Sequence, residues 1–375
     1  MPVLKLTYPG APENWNAHDY IEPGFRLLND WKIEVNSKVR EADAWFVLED
    51  LEQDYETCLV PQGMTLFGNL ETCYDQDWVV SNNYVLQFYN QFDITFTFNI
   101  HSADKTISEP PFLPSMVFAN HGPTVWSQPN FETVRNLIPE LEAKNNKIAV
   151  FCSNQTLTSG HRARIQFVKY LKDYFGDDLD WYGNGFKSVS TKWEVLKKYK
   201  YSVVLENQSR HNVITEKLPD AFLALTYPFY WGAPNIGSYF DPLGFDNIEI
   251  GDFEGAKNTI ENAIKADKFQ ARLTHLISNR DAALTDFNFL HRILRIVDLR
   301  YETARGKPSL VNLKSTKVLR QSFGVSKDGI KSKLFVSLSK LDTRKGTNLA
   351  SVVYELYVFL CHFLGINRLK MLFRK

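Results

Sequence analysis

The chain lacks most of the features that announce a function at once. Its 375 residues hold four cysteines, Cys58, Cys73, Cys152 and Cys361, far apart and with no CxxC pair. That spacing supplies neither a disulfide framework nor a zinc site and predicts reduced thiols. No HExxH or DxD-type stretch offers a metal site, so no metal or other cofactor is required by the sequence. The first residues, MPVLKLT, run straight into a strand-like segment with no signal peptide. Net charge is absent overall, yet it is unevenly spread: from Arg300 onward there are 16 Lys and Arg against 4 Asp and Glu, which leaves 27 against 39 in residues 1–299. The body is acidic and the end of the chain basic.

What is present is apolar and aromatic. The chain is 44% hydrophobic and carries 8 Trp, 17 Tyr and 27 Phe, enough to bury the cores of two ordinary domains. Aromatics mostly fill cores, although sugar-handling clefts also use them. Strand-like runs at 4–8, 31–35, 44–48, 64–70 and 94–99 alternate with helix-like segments at 24–29 and 83–91, which predicts a Rossmann-like domain over 1–145. Residues 101–145 are polar and Pro-rich and predict linker or cleft loops. A second Rossmann-like domain over 146–299 is expected to open with the strand KIAVFCSN at 147–154 and to continue with a helix from His161, a strand at 178–184 and a helix at 191–198.

The most informative stretch is 199–253. Tyr201-Ser-Val-Val-Leu205 reads as a buried strand, followed by the polar loop 206–211. Thr215 is placed to cap a helix whose first turn holds Glu216 and Lys217, with Pro219 tolerated in that turn. A further strand at 227–231 ends in Gly232-Ala-Pro-Asn235. Ligands of such β-loop-α-β units sit at the carboxyl ends of the strands, where helix N-termini attract anions. Lys217 adds a positive charge and Glu216 an acceptor for sugar hydroxyls, a pairing that suits a nucleotide diphosphate.

The succession LEN, seven residues, TEKLPDAFLALTYPFYWGAPNI and a Tyr-Phe-Asp-Pro turn resembles the donor-binding signature of the Lewis-type α1,3/1,4-fucosyltransferases, glycosyltransferase family 10. The resemblance covers roughly 64–100 and 146–298. It implies a GT-B fold, two Rossmann-like domains facing across a cleft, and an inverting enzyme that uses GDP-β-L-fucose as donor and a GlcNAc-containing glycan as acceptor. By the same resemblance Asn207, Glu216 and Lys217 contact the donor, the strand ending in Ser153-Asn154 and the Tyr182-Gly turn lie beside it, and Arg164, with Arg162 as rival, stabilises the departing diphosphate. Phe67-Gly-Asn-Leu-Glu71 resembles the segment that carries the family's base, which nominates Glu71 to deprotonate the acceptor hydroxyl; inversion needs one such base opposite the leaving group. Glu49, Asp50, Glu52 and Asp93 are the alternatives. The family often has an aromatic where this chain has Val213, so base stacking falls to another residue, with His211 as a candidate. A relative using another GDP-sugar, and a glycan- or nucleotide-binding protein without turnover, are the competing readings.

Residues 300–375 read as a basic tail ending in an apolar stretch, 349–366. Glu355 inside it argues against a membrane span, and the polybasic flank predicts an interfacial helix on an anionic inner leaflet; docking on the acidic body is the alternative. Nucleic acid is not expected, because the basic stretch has little aromatic interleaving. The expectation is a cytoplasmic, peripheral enzyme of a bacterial type, acting on an oligosaccharide of a surface polysaccharide.

Overall fold

The computed structural model describes residues 1–9, 11, 16–68, 83–97, 106–108, 131–154, 159–187, 189, 191–304 and 306–322. Two parallel sheets organise them. In the first, β1 (Val3–Thr7), β2 (Lys32–Val35), β3 (Ala44–Leu48), β5 (Thr65–Gly68), β6 (Ile94–Thr97) and β7 (Thr106–Ser108) lie in the order β2-β1-β3-β5-β6-β7, every pair parallel. Each residue of β3, AWFVL, is buried, as expected of a central parallel strand covered on both faces, where the sequence reads as a continuous apolar run. The helix α1 (Asn83–Tyr89) supplies Phe88, which packs with Phe92 edge-on or stacked against Phe67 of β5.

The second sheet holds β8 (Asn145–Phe151), β9 (Leu179–Tyr182), β10 (Tyr199–Leu205), β11 (Tyr227–Trp231) and β12 (Asp246–Asn247), in the order β12-β11-β10-β8-β9. All its pairs are parallel too. In each unit the first strand is flanked by the second on one side and the third on the other. The chain therefore departs in opposite directions from one point of each sheet, and in open parallel sheets that switch point is where ligands bind, outside the carboxyl ends of the strands.

Between these strands run α3 (Ser159–Phe175), α4 (Lys192–Leu196) and α5 (Lys217–Leu223), and after them α6 (Phe253–Lys265), α7 (Lys268–Ala271), α8 (Leu273–Leu284) and α9 (Phe289–Tyr301); the short α2 (Phe131–Arg135) precedes β8. In α3 the buried positions Arg164, Phe167, Val168 and Leu171 recur at helical spacing, so one stripe faces the sheet and carries an arginine with it.

The last helices do not stay with the second unit. The Asp298 carboxylate of α9, 3% exposed, accepts hydrogen bonds from the backbone N–H groups of Leu28 (2.6 Å) and Asn29 (3.2 Å), from Asn29 Nδ2 (2.9 Å) and from the Trp31 indole (2.9 Å). Burial pushes its pKa up, but these donors more than offset that and hold it below the usual carboxylate range. His291 Nε2 accepts from the Glu22 N–H at 2.9 Å while its ring lies flat on Phe25 at 3.9 Å. These contacts explain why 24–29 is not the helix expected from its apolar content: Gly24 has φ +88°, and the backbone donors of 28 and 29 are satisfied by α9 rather than within a turn.

Residues 300–322, the expected start of the basic tail, are built into the first unit. Arg300 donates to the Gly63 carbonyl at 2.9 Å, and β13 (Pro308–Lys314) pairs antiparallel with β4 (Tyr55–Pro61) along seven residues. The short α10 (Thr316–Ser322) then places the Thr316 N–H 3.0 Å from the Asp50 carboxylate. Residues 349–366 lie outside the described residues, and no helix of the described residues is long and apolar enough to cross a membrane.

Candidate functional site

At the switch point of the second sheet, β8 ends in Cys152-Ser153-Asn154 and β9 in Tyr182-Gly183. The two ends are tied together: Cys152 N–H donates to the Tyr182 carbonyl (2.9 Å), Asn154 N–H to the Asn184 carbonyl (3.0 Å), and the Trp181 indole to the Cys152 carbonyl (2.8 Å). The approach is close enough that a Cβ at Gly183, whose φ is +137°, would stand 2.6 Å from the Cys152 carbonyl oxygen, so only glycine fits. Phe186, on this turn, stacks on Trp181 at 3.9 Å and leaves 43% of its surface exposed. Tyr182 itself does not face the crevice. It is 4% exposed and its hydroxyl bonds that of Tyr199 (2.7 Å), which donates on to Asp180 (2.7 Å); its expected place beside a donor is corrected to the core.

Arg164 reaches this point from α3. It is 5% exposed, one terminal nitrogen donates to the carbonyl of Leu205 at the end of β10 (3.3 Å), and its Nε is buried without a hydrogen-bond partner. An unpartnered buried guanidinium N–H is costly, and burial accordingly pushes the Arg164 pKa down, against the opposing pull of Cys152, Glu206 and Glu216. Arg162, its rival, is half-buried and off the inward stripe. Nearby His161, in the first turn of α3, is pushed down to about 4 by burial and by the fields of Arg164, Lys217 and Arg162, so it is neutral at pH 7.

The cationic partner comes from the segment after β10. Glu206, fully buried, accepts from the Thr215 N–H (2.8 Å), the Thr215 hydroxyl (2.6 Å) and Lys217 Nζ (3.3 Å). Lys217 Nζ also donates to Thr215 Oγ1 at 2.7 Å and stands 3.6 Å from Glu216. Glu216 pairs with Lys192 of α4 at 3.1 Å, and Lys192 with the buried Asp220, also at 3.1 Å. Burial alone would raise the pKa of Glu216, but Lys217 and Lys192 hold it well below the carboxylate range. For Lys217 the burial penalty is outweighed by Glu206 and Glu216, which raise its pKa. A small, partly open pocket lies alongside, lined by Phe151, Leu205, Lys192, Lys217 and Asp220 among others.

Thr215 is thus not the helix cap. α5 starts at Lys217 after Glu216, which makes no side-chain cap bond, and Thr215 turns to the buried carboxylate of Glu206, an acceptor that sequence reasoning assigned to a polar loop. The signal for it was the buried run before it, since a strand that ends in a fully covered residue needs a partner for any charge there. Asn207 is half-buried and makes no hydrogen bond among the described residues. Its loop is held by Asn212, in the left-handed region at φ +65°: Asn212 N–H donates to Asn235 Oδ1 (2.9 Å), while its side-chain Oδ1 accepts from Asn235 Nδ2 (2.7 Å) and the Tyr239 hydroxyl (2.6 Å). Val213 is fully buried and His211 exposed, so position 213 offers no face for stacking.

The expected sites therefore divide. Arg164, Thr215, Glu216 and Lys217 form one connected cluster, with Ser153, Asn154 and Asn207 at the same edge of the sheet. Glu71 lies outside the described residues. Of its alternatives, Asp93 is spent at the amino end of β6, accepting from Gly63 N–H (3.1 Å) and Thr65 N–H (3.1 Å), and Asp50 is engaged by Thr316. Among the described residues no group of His, Cys, Asp and Glu could hold a metal ion.

Two doubly wound α/β units are present, the second with guanidinium and ammonium donors at its switch point, where an anionic ligand would be accommodated. Residues 141–275 match the model of glycosyltransferase family 10 (fucosyltransferase), C-terminal part. The alpha-(1,3)-fucosyltransferase FucT of Helicobacter pylori is 35% identical over 74 residues, 20% of this chain and 15% of that one. The 3-galactosyl-N-acetylglucosaminide 4-alpha-L-fucosyltransferase FUT3 of Pan troglodytes is 31% identical over 137 residues, 35% of each chain. The matches thus span between 15% and 35% of the length of these relatives. A crystal structure of an alpha1,3-fucosyltransferase with GDP-fucose superposes with a TM-score of 0.45 at 17% identity, over 88% of this chain and 91% of that one. A second alpha1,3-fucosyltransferase structure gives 0.47 at 18%, over 73% and 80%.

Proposed function

We propose that the protein is an inverting α1,3(/4)-fucosyltransferase that moves L-fucose from GDP-β-L-fucose to a GlcNAc-containing glycan. The observation that carries the reading is the meeting of Arg164, with its unpartnered buried Nε, and the Lys217–Glu216 pair around the end of β10. Arg164 and Lys217 bind the diphosphate and stabilise the charge that grows on it as the bond between the anomeric carbon and the phosphate oxygen breaks. Neutral His161 and the N–H groups opening α3 add donors at the same edge. Asn207 and Glu216 hold the donor's sugars, with Ser153 and Asn154 beside them, and the guanine base rests on the exposed face of Phe186. The acceptor oxygen attacks the anomeric carbon from the opposite side and gives its proton to Glu71. Arginine and lysine meet the leaving charge, so the step needs no divalent metal. The polybasic end of the chain brings the enzyme to the cytoplasmic face of an anionic membrane.

The test is calorimetry with GDP, GDP-fucose and GDP-mannose, followed by a glycan array with labelled GDP-fucose and the Glu71→Gln variant. The reading predicts GDP and GDP-fucose binding, transfer to N-acetyllactosamine-type ends, and turnover lost with GDP binding kept in Glu71→Gln. Preference for GDP-mannose transfers the reading to another GDP-sugar, and binding without turnover to a non-catalytic protein. Membrane association is read by vesicle sedimentation of the full chain: if a chain ending after Ser322, which keeps β13 and α10, still sediments, the tail does not anchor it.

A further inference from the structure

We propose that Glu206 is the positioning residue of the donor site: its buried carboxylate fixes the Lys217 ammonium, directly and through the Thr215 hydroxyl, in the place where a sugar-linked diphosphate meets it. The inference rests on the donor-site reading above.

The carboxylate has nowhere else to go. Its backbone N–H is tied to the Trp231 carbonyl at 2.9 Å, and its Cγ lies so near the β11 turn that a Cβ at Gly232 would stand 2.6 Å from it and 2.2 Å from the Tyr230 hydroxyl. One carboxylate oxygen takes the Thr215 N–H (2.8 Å) and the other takes both the Thr215 hydroxyl (2.6 Å) and Lys217 Nζ (3.3 Å). A hydroxyl has one proton, and Thr215 gives it to Glu206; the Thr215 oxygen is then free to accept from Lys217 at 2.7 Å. The relay has one direction, and the carboxylate sets it.

Of the three N–H bonds of Lys217, two are spent on Glu206 and Thr215, and Glu216 at 3.6 Å is beyond hydrogen-bond length. One donor is left for a ligand, and on Arg164 the buried Nε–H is likewise unspent. A lysine on its own flexible stem would have to be ordered as the donor binds; here the ordering is already done, which is what effective catalytic placement requires. The charged groups that act on the ammonium are Glu206 at the end of β10, Glu216 beside it, Lys192 on α4 and Arg164 on α3, and His161 of α3 lies in its field. Glu206 is the largest of the influences that oppose the burial penalty on Lys217. Without its charge, the ammonium loses its proton at lower pH.

The experiment measures GDP affinity by calorimetry and kcat and KM for GDP-fucose with the full chain across about pH 7 to about pH 11.5, for wild type, Glu206→Gln, Thr215→Val and, as a buried carboxylate on α9, Asp298→Asn. Expected for Glu206→Gln are a kcat lower by roughly 10- to 100-fold and an alkaline limb of GDP binding displaced to lower pH by about one unit or more. Thr215→Val, which keeps the shape and removes the relay, moves the limb in the same direction even if the Gln variant does not fold. Asp298→Asn leaves the limb where it is. The inference is overturned if Glu206→Gln or Thr215→Val loses stability and turnover with the limb unmoved, or keeps kcat within about 2-fold of wild type. If wild type binds GDP in either case, only this inference falls; if wild type binds none, the donor-site reading falls with it.

Discussion

Arg164→Met separates binding from folding more sharply than any other single change. In the ligand-free protein the guanidinium is 5% exposed, with one donor spent on the Leu205 carbonyl at 3.3 Å and Nε unpaired. A buried donor without a partner costs about 1–3 kcal/mol, and a hydrogen bond from a charged group returns about 1.5–3 kcal/mol. The two nearly cancel, and methionine fills much of the volume between α3 and β10. Removing a buried charge also removes its desolvation penalty. The net effect on stability is therefore within about 2 kcal/mol, a shift of melting temperature of at most about 8 °C and upward as readily as downward.

Turnover responds differently under the proposed reaction, in which the same guanidinium meets the diphosphate as negative charge develops on it. Loss of one such preorganised donor costs on the order of 100- to 1000-fold in kcat, or about 2.7–4 kcal/mol. Arg164→Lys keeps a charge but not the fork, and falls between. The assay pairs thermal unfolding with steady-state transfer from GDP-fucose and GDP calorimetry on the same preparations. A Met variant that unfolds more than about 10 °C lower while kcat/KM stays within about 10-fold of wild type refutes the argument, since Arg164 would then hold the fold and not the donor.

Three further outcomes follow from the coordinates. Lys144, 5% exposed, spends its ammonium on the carbonyls of Lys197 (2.8 Å), Ala224 (2.9 Å) and Tyr199 (3.2 Å); Lys144→Met strands these acceptors and lowers stability in denaturant titration by about 3 kcal/mol or more. Burial pushes the fully covered His291 down to about 4, so between the ordinary histidine value near 6.5 and that point the unfolded chain binds a proton that the native chain refuses. Stability is complete above about pH 6.5 and is lost as pH falls toward 4, by up to about 3 kcal/mol, and His291→Gln flattens this part of the pH–stability curve. Gly183→Ala places a Cβ 2.6 Å from the Cys152 carbonyl at φ +137° and costs on the order of 2 kcal/mol or more, with GDP affinity reduced because the 152–154 segment must move.

Much of this was legible in the residues. The strands at 44–48 and 227–231 fall where the sequence places them, because a strand covered on both faces by a parallel sheet's helices has to be a continuous apolar run. The choice of Arg164 over Arg162 was available too, since only 164 shares the spacing of Phe167, Val168 and Leu171. Other positions carry reasons that exist only in three dimensions. The Trp-Gly of 231–232 has no local logic; the glycine is there because any Cβ would strike Tyr230 and Glu206. Asn235 is there to receive and return the bonds of Asn212, 23 residues away. Thr215 looks like a helix cap by every local rule and is drawn instead to a carboxylate nine residues earlier. The segment 24–29 carries a helix-like composition whose backbone donors are taken by Asp298, some 270 residues later.

The charges of the donor site favour a particular mode of recognition. Lys192, Lys217 and Arg164 are balanced by Asp220, Glu216 and Glu206, each pair close in space or coupled by field. A pocket of free cations would attract any polyanion, and its affinity would decay with salt. Here each cation is already compensated, so net attraction is small. What the proposed site offers a diphosphate is oriented, unspent N–H donors on Arg164 and Lys217, with the Arg164 Nε in surroundings that leave it without a partner. Donors fixed in this way are worth more to a transition state than to a ground state, because the charge on the leaving diphosphate grows while the donors need not move. The three carboxylates hold those cations ordered without saturating them, and in the proposed reaction the fully buried Glu206 acts on turnover through Lys217 rather than by direct contact.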